Sequence, residues 1–362
     1  MIDVIVPVYA GEEQTRRCLA SLREARCEAA FEIVVVDDCS PEPPLSAWLD
    51  EQAAAGHITL LRHERNRGFV AAVNAGMAQH PGRDVVLLNS DTEVANDWLD
   101  RIVACAASAA DIGTITPFSN NATVCSYPYE GWGGEVPGTL GLAGLDRLFA
   151  HTLTGRVVDL PTAIGFCMFI RRACLDAVGG FDEAAFGRGY GEENDFSLRA
   201  AKAGWRNVIA ADVFVYHQGA VSFGAGRFAL MREAERTLLG RHPDYKRRVR
   251  AFIAADPLAP LRDAIDRARA DRGVAEARQV LEERFRERAA MRAALRAALR
   301  AARAGSAAAP AAAPKSMLKL WREWLDEGAV RLGSSVRWGP RRRAWLQSML
   351  RRVSALSARW EP

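Results

Sequence analysis

The sequence holds no uninterrupted apolar run near the roughly 18 to 20 residues that a membrane-spanning helix needs. It opens on "IDVIVPVY", which reads as a strand. No basic stretch leads into an apolar one there, so no secretory leader is expected. Its seven cysteines are odd in number and include neither a C-x-x-C pair nor a Cys/His set at zinc spacing. That argues against a disulfide framework and a structural zinc site, and for small core residues in a reducing, cytoplasmic setting. G-x-x-x-x-G-K-[ST] is missing, as is G-x-G-x-x-G after the first strand, and Ser40 has no G-x-S-x-G context. These absences exclude a P-loop enzyme, a dinucleotide-binding Rossmann unit and a hydrolase elbow.

What is present suits one large α/β domain with an appendage. The 362 residues are 49% hydrophobic and 25% charged, enough for a domain of about 250 residues plus an extension. The net charge of +4 is unevenly spread. From Lys315 onward there are eleven Lys/Arg against four Asp/Glu, so the end of the chain is basic and the rest slightly acidic.

Apolar runs alternate with helix-like stretches through the first half. "DVIVPVY", "FEIVVVDD", "HITLLRH" and "RDVVLLNSD" read as strands. Between and after them lie the helical segments "EEQTRRCLASLREA", "LSAWLDEQAAAG", "GFVAAVNAGMAQHPG" and "NDWLDRIVACAASA". The strands are continuously apolar rather than alternating, which predicts helices on both faces of a mostly parallel sheet. The pattern loosens after Pro117. It returns as strand and short helix in "LPTAIGFCMFIRRACLDAVGGFDE", helix in "NDFSLRAAKAGW" and strand in "RNVIAADVFVYH". The expected organisation is a catalytic-type α/β domain over 1–240, a helical extension over 241–303, an Ala/Pro linker over 304–316 and a basic amphipathic tail over 317–362.

In an open parallel sheet, ligands bind beyond the carboxyl ends of the strands. The residues there are Pro7-Val8-Tyr9, Asp37-Asp38 and Asn89-Ser90-Asp91. "GYGEENDF" puts Glu192, Glu193 and Asp195 at a helix start, and "VYHQG" ends a strand on His217. Each has a structural alternative. Asp37 and Asp38 suit a turn, Asp91 an N-cap, Glu193 the first turn of a helix dipole and His217 a packed core position. Their joint occurrence at element ends favours chemistry on a diphosphate. Carboxylate oxygens suit a hard divalent cation, Mg²⁺ or Mn²⁺, that bridges to substrate phosphates. Asp91 is the best ligand candidate, and His217 biases the site toward Mn²⁺. Glu193 is the candidate acceptor of a proton from an attacking hydroxyl.

Seven segments in this order, "VIVPVYAGEEQTRRCLASL", "IVVVDDCSPE", "NRGFVAAVNAGM", "VVLLNSDTEV", "GFCMFIRRACLDAVGGFDE", "GYGEENDFSLRAAKAGW" and "VYHQGAVSFG", resemble glycosyltransferase family 2 with its GT-A fold, over about residues 1 to 240. The resemblance implies an inverting transferase that uses a nucleotide-sugar donor and a glycan or lipid-linked acceptor. It implies that Pro7, Tyr9, Asp37 and Asp38 surround the nucleoside, and that Arg67 and Gly68 lie in a loop closing over it. Asn89, Ser90 and Asp91 occupy the D-x-D position, with Asp91 on the metal and His217 completing the metal site. Glu193 falls at the catalytic base position, with Glu192 and Asp195 as neighbouring acids able to take that role. The sequence departs from the family pattern at Asn89, which carries no charge, and at Glu193, where Asp is commoner. Tyr129 and Trp132, in the loop 120–138, offer aromatic faces to an acceptor sugar or pack the loop itself.

Two other readings compete. A nucleotidyltransferase of similar fold needs a Gly/Lys-rich loop after the first strand, and "YAGEEQTRR" is a poor one. A non-catalytic scaffold predicts damage at the acidic positions, which are intact. "LKLWREWL" and "RRRAWLQSMLRR" fit an interfacial helix on an anionic membrane surface, a partner contact or a helix packed on the domain. No nucleic-acid partner is expected.

Overall fold

The computed structural model describes residues 1–129, 133–187, 189–219 and 227–303. The Ala/Pro linker, the basic tail and Trp132 lie outside the described residues. In chain order the elements are β1 (Ile2–Val8), α1 (Glu12–Glu24), β2 (Phe31–Asp37), α2 (Pro43–Ala54), β3 (Thr59–Arg62), α3 (Phe69–Ala78), β4 (Asp84–Leu88), β5 (Thr92–Glu93), α4 (Trp98–Ala107) and β6 (Ile112–Ser119). Then follow α5 (Gly141–Thr152), β7 (Val157–Asp159), β8 (Cys167–Ile170), α6 (Arg172–Val178), α7 (Glu183–Phe186), α8 (Glu192–Lys202), β9 (Arg206–His217), α9 (Arg227–Arg241), α10 (Tyr245–Ala255), α11 (Ala259–Ala270) and α12 (Val274–Arg303). The four expected βα units of the first half are all there.

The sheet runs β3-β2-β1-β4-β8-β6-β9-β5, with β7 beside β9. β3, β2, β1 and β4 are mutually parallel, and β6 and β9 are parallel. β8 is inserted antiparallel between β4 and β6. Ile5, Val34, Val36, Val85, Leu87 and Met168 point into one cluster with Val70, Val73 and Met77 of α3 and Phe196 and Leu198 of α8. Val4, Val6, Val35, Val86 and Leu88, of opposite parity, are equally buried. Side chains alternate across a strand, so both faces are covered. α3 lies very close to the sheet: a Cβ on Gly76 would come 2.4 Å from Ile5 Cγ2.

The irregular stretch starts at Asn120 rather than Pro117, because β6 continues to Ser119 alongside β9. Its register shifts between Pro117 and Phe118. A proline donates no ladder hydrogen bond, so an irregularity is where a paired strand tolerates one.

The chain divides into two compact units, 1–261 and 262–362. In the first, Ala234 and Leu238 of α9 join the core cluster beside α8. Within the described part of the second, Arg269 is fully buried and held by Glu276 (2.7 Å) and Glu283 (2.7 Å), while Arg284 pairs with Asp266 (2.6 Å). Such pairs orient helices more than they stabilise them, since desolvating the charges costs about what their attraction returns. No helix among the described residues is long and apolar enough to cross a membrane.

Candidate active site

β4 delivers "NSDT" to its carboxyl end, where Thr92 N–H donates to the Asn89 carbonyl (3.1 Å) and closes a turn with Ser90 and Asp91 at its centre. Thr92 then pairs with His217 across β5 and β9. That two-residue strand brings Asp91 beside the end of a strand far away in sequence. The Asp91 carbonyl accepts from Gln218 N–H (3.0 Å), and Asp91 Oδ2 from Gly219 N–H (3.0 Å). Asp91 Oδ1 lies 3.4 Å from His217 Nε2. The pair is mostly buried, with 11% and 14% of the side chains exposed.

The imidazole orientation is fixed from behind. His217 Nδ1 lies 2.7 Å from the Asn121 carbonyl, an acceptor only, so Nδ1 carries the proton. Nε2 then faces the Asp91 carboxylate oxygen at 3.4 Å, too far for a good hydrogen bond. A lone pair facing an oxygen anion calls for a proton or a cation between them. A carboxylate oxygen and an imidazole nitrogen, the ring oriented from behind by its Nδ1–H hydrogen bond, are a pair of ligand atoms suited to a divalent ion. Buried Asn120 clamps the same residue, accepting from His217 N–H (2.8 Å) and donating to its carbonyl (3.0 Å). Phe166 stacks on the ring, with centroids 5.2 Å apart. Gly219 has φ +72°, and a Cβ there would sit 2.0 Å from Asn121 Nδ2, so no side chain fits. Asn120, Asn121 and Phe166 were missed by the sequence reading. The available signal was the Asn doublet directly after the apolar run of β6.

Glu192, Glu193 and Asp195 occupy the first turn of α8, after Gly191 in a left-handed conformation. Here they complement the helix dipole, yet their environments differ sharply. Glu192 is buried, its Oε2 without a hydrogen-bond partner among the described residues. Burial and then the charge of Glu193 push its carboxyl well above the ordinary range. Glu193 is half-buried and also raised by burial, partly offset by backbone N–H groups of the helix start and by Asn194. Its Oε1 accepts from Asn194 Nδ2 (2.8 Å), and its Oε2 is buried and unpartnered among the described residues. Two adjacent acids with separated affinities are what acid–base chemistry uses.

Asp195 points elsewhere. It accepts from Arg199 Nε (2.7 Å) and His242 Nε2 (2.8 Å), with Arg241 at 3.5 Å. Burial alone would raise it, but His242 and Arg199 outweigh burial and hold it below the usual value. Its stability contribution is therefore present above the unfolded pKa of about 3.9 and fades as pH falls through the lower folded value. From the sequence, only the helix dipole supported Asp195, by at most about 1 kcal/mol. With a buried ion pair broken, Asp195→Asn is expected to cost about 3 kcal/mol in urea denaturation at pH 7. Unchanged stability would show that this network does not tie α9 and α10 to α8.

The segment between β7 and β8 connects the two acidic groups. The Phe166 carbonyl accepts from Asn89 N–H (2.9 Å), and a Cβ on Gly165 would lie 3.6 Å from Glu193 Cγ. The Asp91–His217 pair thus adjoins Phe166, and Glu193 adjoins Gly165 next to it.

Asp37 and Asp38 sit at the end of β2, both buried. Asp37 accepts from Ser40 N–H (2.8 Å) and Arg62 Nε (2.8 Å). Asp38 accepts from Arg67 N–H (2.8 Å), Gly68 N–H (2.7 Å) and His63 Nδ1 (2.7 Å). Asp37 holds the turn after β2 and the end of β3, while the Asp38 carboxylate anchors the loop leading into α3. Beside it an open cavity of about 430 Å³ is lined by Arg62, His63, Glu64, Arg65 and Arg67. Arg67 also reaches Glu183 at 3.2 Å. Pro7 is half-buried near the end of β1, and Tyr9 beyond it is 38% exposed. Ser90 is buried, and the Asn89 amide makes no side-chain hydrogen bond among the described residues. Tyr129 is half-buried in the loop after β6.

A second group, Asp3, Glu32 and His80, has residue types found in metal sites. Arg83 Nη1 lies 2.8 Å from both Asp3 and Glu32 and 3.2 Å from His80. The guanidinium already neutralises those acids, and Asp3 and Glu32 open their strands, at the sheet edge opposite Asp91.

Among known proteins, the sequence model "Glycosyl transferase family 2" matches residues 3–179. That stretch includes Asp91 and stops short of Glu193 and His217. "Uncharacterized protein y4gI" of Sinorhizobium fredii is 28% identical over 272 residues, 71% of this chain but 28% of its own length. The N-acetylglucosaminyl-diphospho-decaprenol L-rhamnosyltransferase of Mycobacterium tuberculosis is 25% identical over 254 residues, 62% of this chain and 78% of the relative. A crystal structure of GalNAc-T7 with UDP, GalNAc and Mn²⁺ superposes with a TM-score of 0.52 at 19% identity, covering 74% of this chain and 54% of that one. This last likeness concerns the fold, which is the GT-A arrangement.

Proposed function

Because the chain belongs to glycosyltransferase family 2, we propose that it is an inverting, cation-dependent transferase moving a sugar from a nucleoside-diphosphate donor to a hydroxyl acceptor in glycan assembly. The observation that carries this reading is that Gly165-Phe166 adjoins both the Asp91–His217 pair, through Phe166 on the His217 ring, and the raised, half-unpartnered Glu193. Asp91 Oδ1 and His217 Nε2 would hold Mn²⁺ or Mg²⁺, and the bound ion would offset charge developing on the diphosphate leaving group. The Arg-lined cavity and exposed Tyr9 suit the nucleotide, with Asp38 holding Arg67 and Gly68 in place, Asp37 holding Arg62, and Pro7, Asn89 and Ser90 at its edge. Glu193 Oε2 takes the proton of the acceptor hydroxyl as that oxygen attacks the anomeric carbon opposite the leaving group. Half-burial favours this: a carboxylate short of solvation is a stronger base. Burial, and then the charge of Glu193, disfavour the charged form of Glu192 beside it.

The name of the mycobacterial relative supports a deoxyhexose donor and a polyprenyl-diphosphate-linked acceptor as first candidates. Incubating the protein with a panel of nucleotide sugars, Mn²⁺ or Mg²⁺, and polyprenyl-linked acceptors should release nucleoside diphosphate with one donor. Release of pyrophosphate from a nucleoside triphosphate and a sugar phosphate, with no donor consumed, would replace this reading by nucleotidyl transfer.

A further inference from the structure

The two oxygens of the Glu193 carboxylate are not equivalent. Oε1 accepts from Asn194 Nδ2, while Oε2 is buried and unpartnered among the described residues. Leaving a buried acceptor unpaired is costly, so the arrangement suits a donor that arrives from outside. The Asn194 amide is itself held. Its Oδ1 accepts from Thr162 Oγ1 (2.8 Å) and from the Tyr245 hydroxyl (3.1 Å). A flipped amide would turn its carbonyl oxygen on the acceptor-only carboxylate, so Glu193 fixes which way Asn194 donates, and the two hydroxyls hold the amide there by donating to its Oδ1. The surrounding frame is tied in as well. Ser197 Oγ donates to the Glu193 carbonyl (2.6 Å) and accepts from Ala163 N–H (3.0 Å). Tyr245 opens α10, beyond the stretch that matches the family, and is carried to α8 by the packing of α9.

We propose that Asn194, oriented by Tyr245 and Thr162, is a positioning residue that occupies Glu193 Oε1 and leaves Oε2 as the single oxygen that accepts the acceptor's proton. This rests on the reading of Glu193 as the base. It gives α9 and α10 a function: they complete the base from outside the family-matching stretch. Three titratable groups meet here. Glu192, from the same helix, is raised by burial and then by Glu193. Tyr245, from α10, is raised by burial, then by the charge of Glu193, and also by that of Glu235, from α9. The segment 160–166 brings none.

The sign of the effect follows. Donation from Asn194 favours the charged form of Glu193. Losing it raises the Glu193 pKa and moves the acid limb of the kcat profile to higher pH. Asn194→Ala is expected to shift that limb by about one unit and lower kcat by about 10²-fold, and Tyr245→Phe or Thr162→Val by about half a unit and about ten-fold. Donor KM should stay within a few-fold. Thr162→Ser keeps the hydroxyl and should restore the wild-type profile. Tyr245→Phe added to Asn194→Ala should cost little more than Asn194→Ala alone, because both act through one bond. A second readout needs no turnover: ¹³C NMR titration of Glu-labelled protein, the Glu193 signal assigned by its loss in Glu193→Gln, should show the same shifts. An unmoved Glu193 titration and acid limb in Asn194→Ala, with only a lower melting temperature, would reduce the contact to packing. If Glu193→Gln itself retains turnover, the base assignment falls. If Glu193→Gln is inactive and the limb does not move, the relay falls alone.

Discussion

Glu193→Gln is expected to lower kcat by roughly 10² to 10⁴, the usual worth of general base catalysis, while donor binding stays within a few-fold of wild type. Glutamine keeps the length and the hydrogen bond to Asn194 but cannot take a proton. The loss should therefore appear in kcat rather than in donor KM, since the interaction matures only as the hydroxyl gives up its proton. The wild-type profile carries a linked expectation. Burial raises Glu193, so turnover should fall as pH drops through a value above the ordinary glutamate range. An acid limb at or below about 4.3, the unperturbed glutamate value, would point to a different base. Near-full turnover in Glu193→Gln with collapse in Glu192→Gln would move the role one residue back. Asp195 is a poor heir, since Arg199 and His242 hold its carboxylate as a weak base.

Asp91→Ala is expected to cost about 10³-fold or more in turnover, comparable to or beyond the loss of one oxyanion-type contact, with the fold intact. It removes the only carboxylate facing His217 Nε2 among the described residues. Calorimetry separates binding from chemistry. Nucleoside diphosphate binding supported by Mn²⁺ should weaken strongly, while binding in the presence of a chelator should not change. Asp91 also accepts from Gly219 N–H, so Asp91→Asn is the companion variant. It keeps an oxygen for that hydrogen bond and loses the charge. Equal Mn²⁺-supported affinity in wild type and both variants would remove Asp91 from the cation site.

The sequence by itself determined the periodic and local part of this protein. Continuous apolar runs set strands buried on both faces, and helical periodicity between them implied a mostly parallel sheet with helices on both faces. Because such strands bind ligands at their carboxyl ends, the positions of Asp37, Asp38, Asp91 and His217 were legible from where the apolar runs stop. The Glu192–Asp195 cluster at a helix start was legible for the same reason: charge is found where backbone N–H groups are exposed.

Partner choice was decided by the tertiary structure. β8 enters the sheet antiparallel, and nothing in a four-residue apolar run encodes its direction. The meeting of Asp91 with His217 depends on a two-residue strand, too short to show a period. Asp37 and Asp38, similar in sequence context, each acquire three protein donors from the chain that folds over them. Three acids at the start of α8 become an ion-paired anchor, a buried acid with its charged form disfavoured and a candidate base only because α10 brings Tyr245, His242 follows α9 and Gly165 approaches Glu193. Local sequence fixes which groups are available along each element. Desolvation and hydrogen-bond geometry act across elements, and these give identical residue types different protonation and different work.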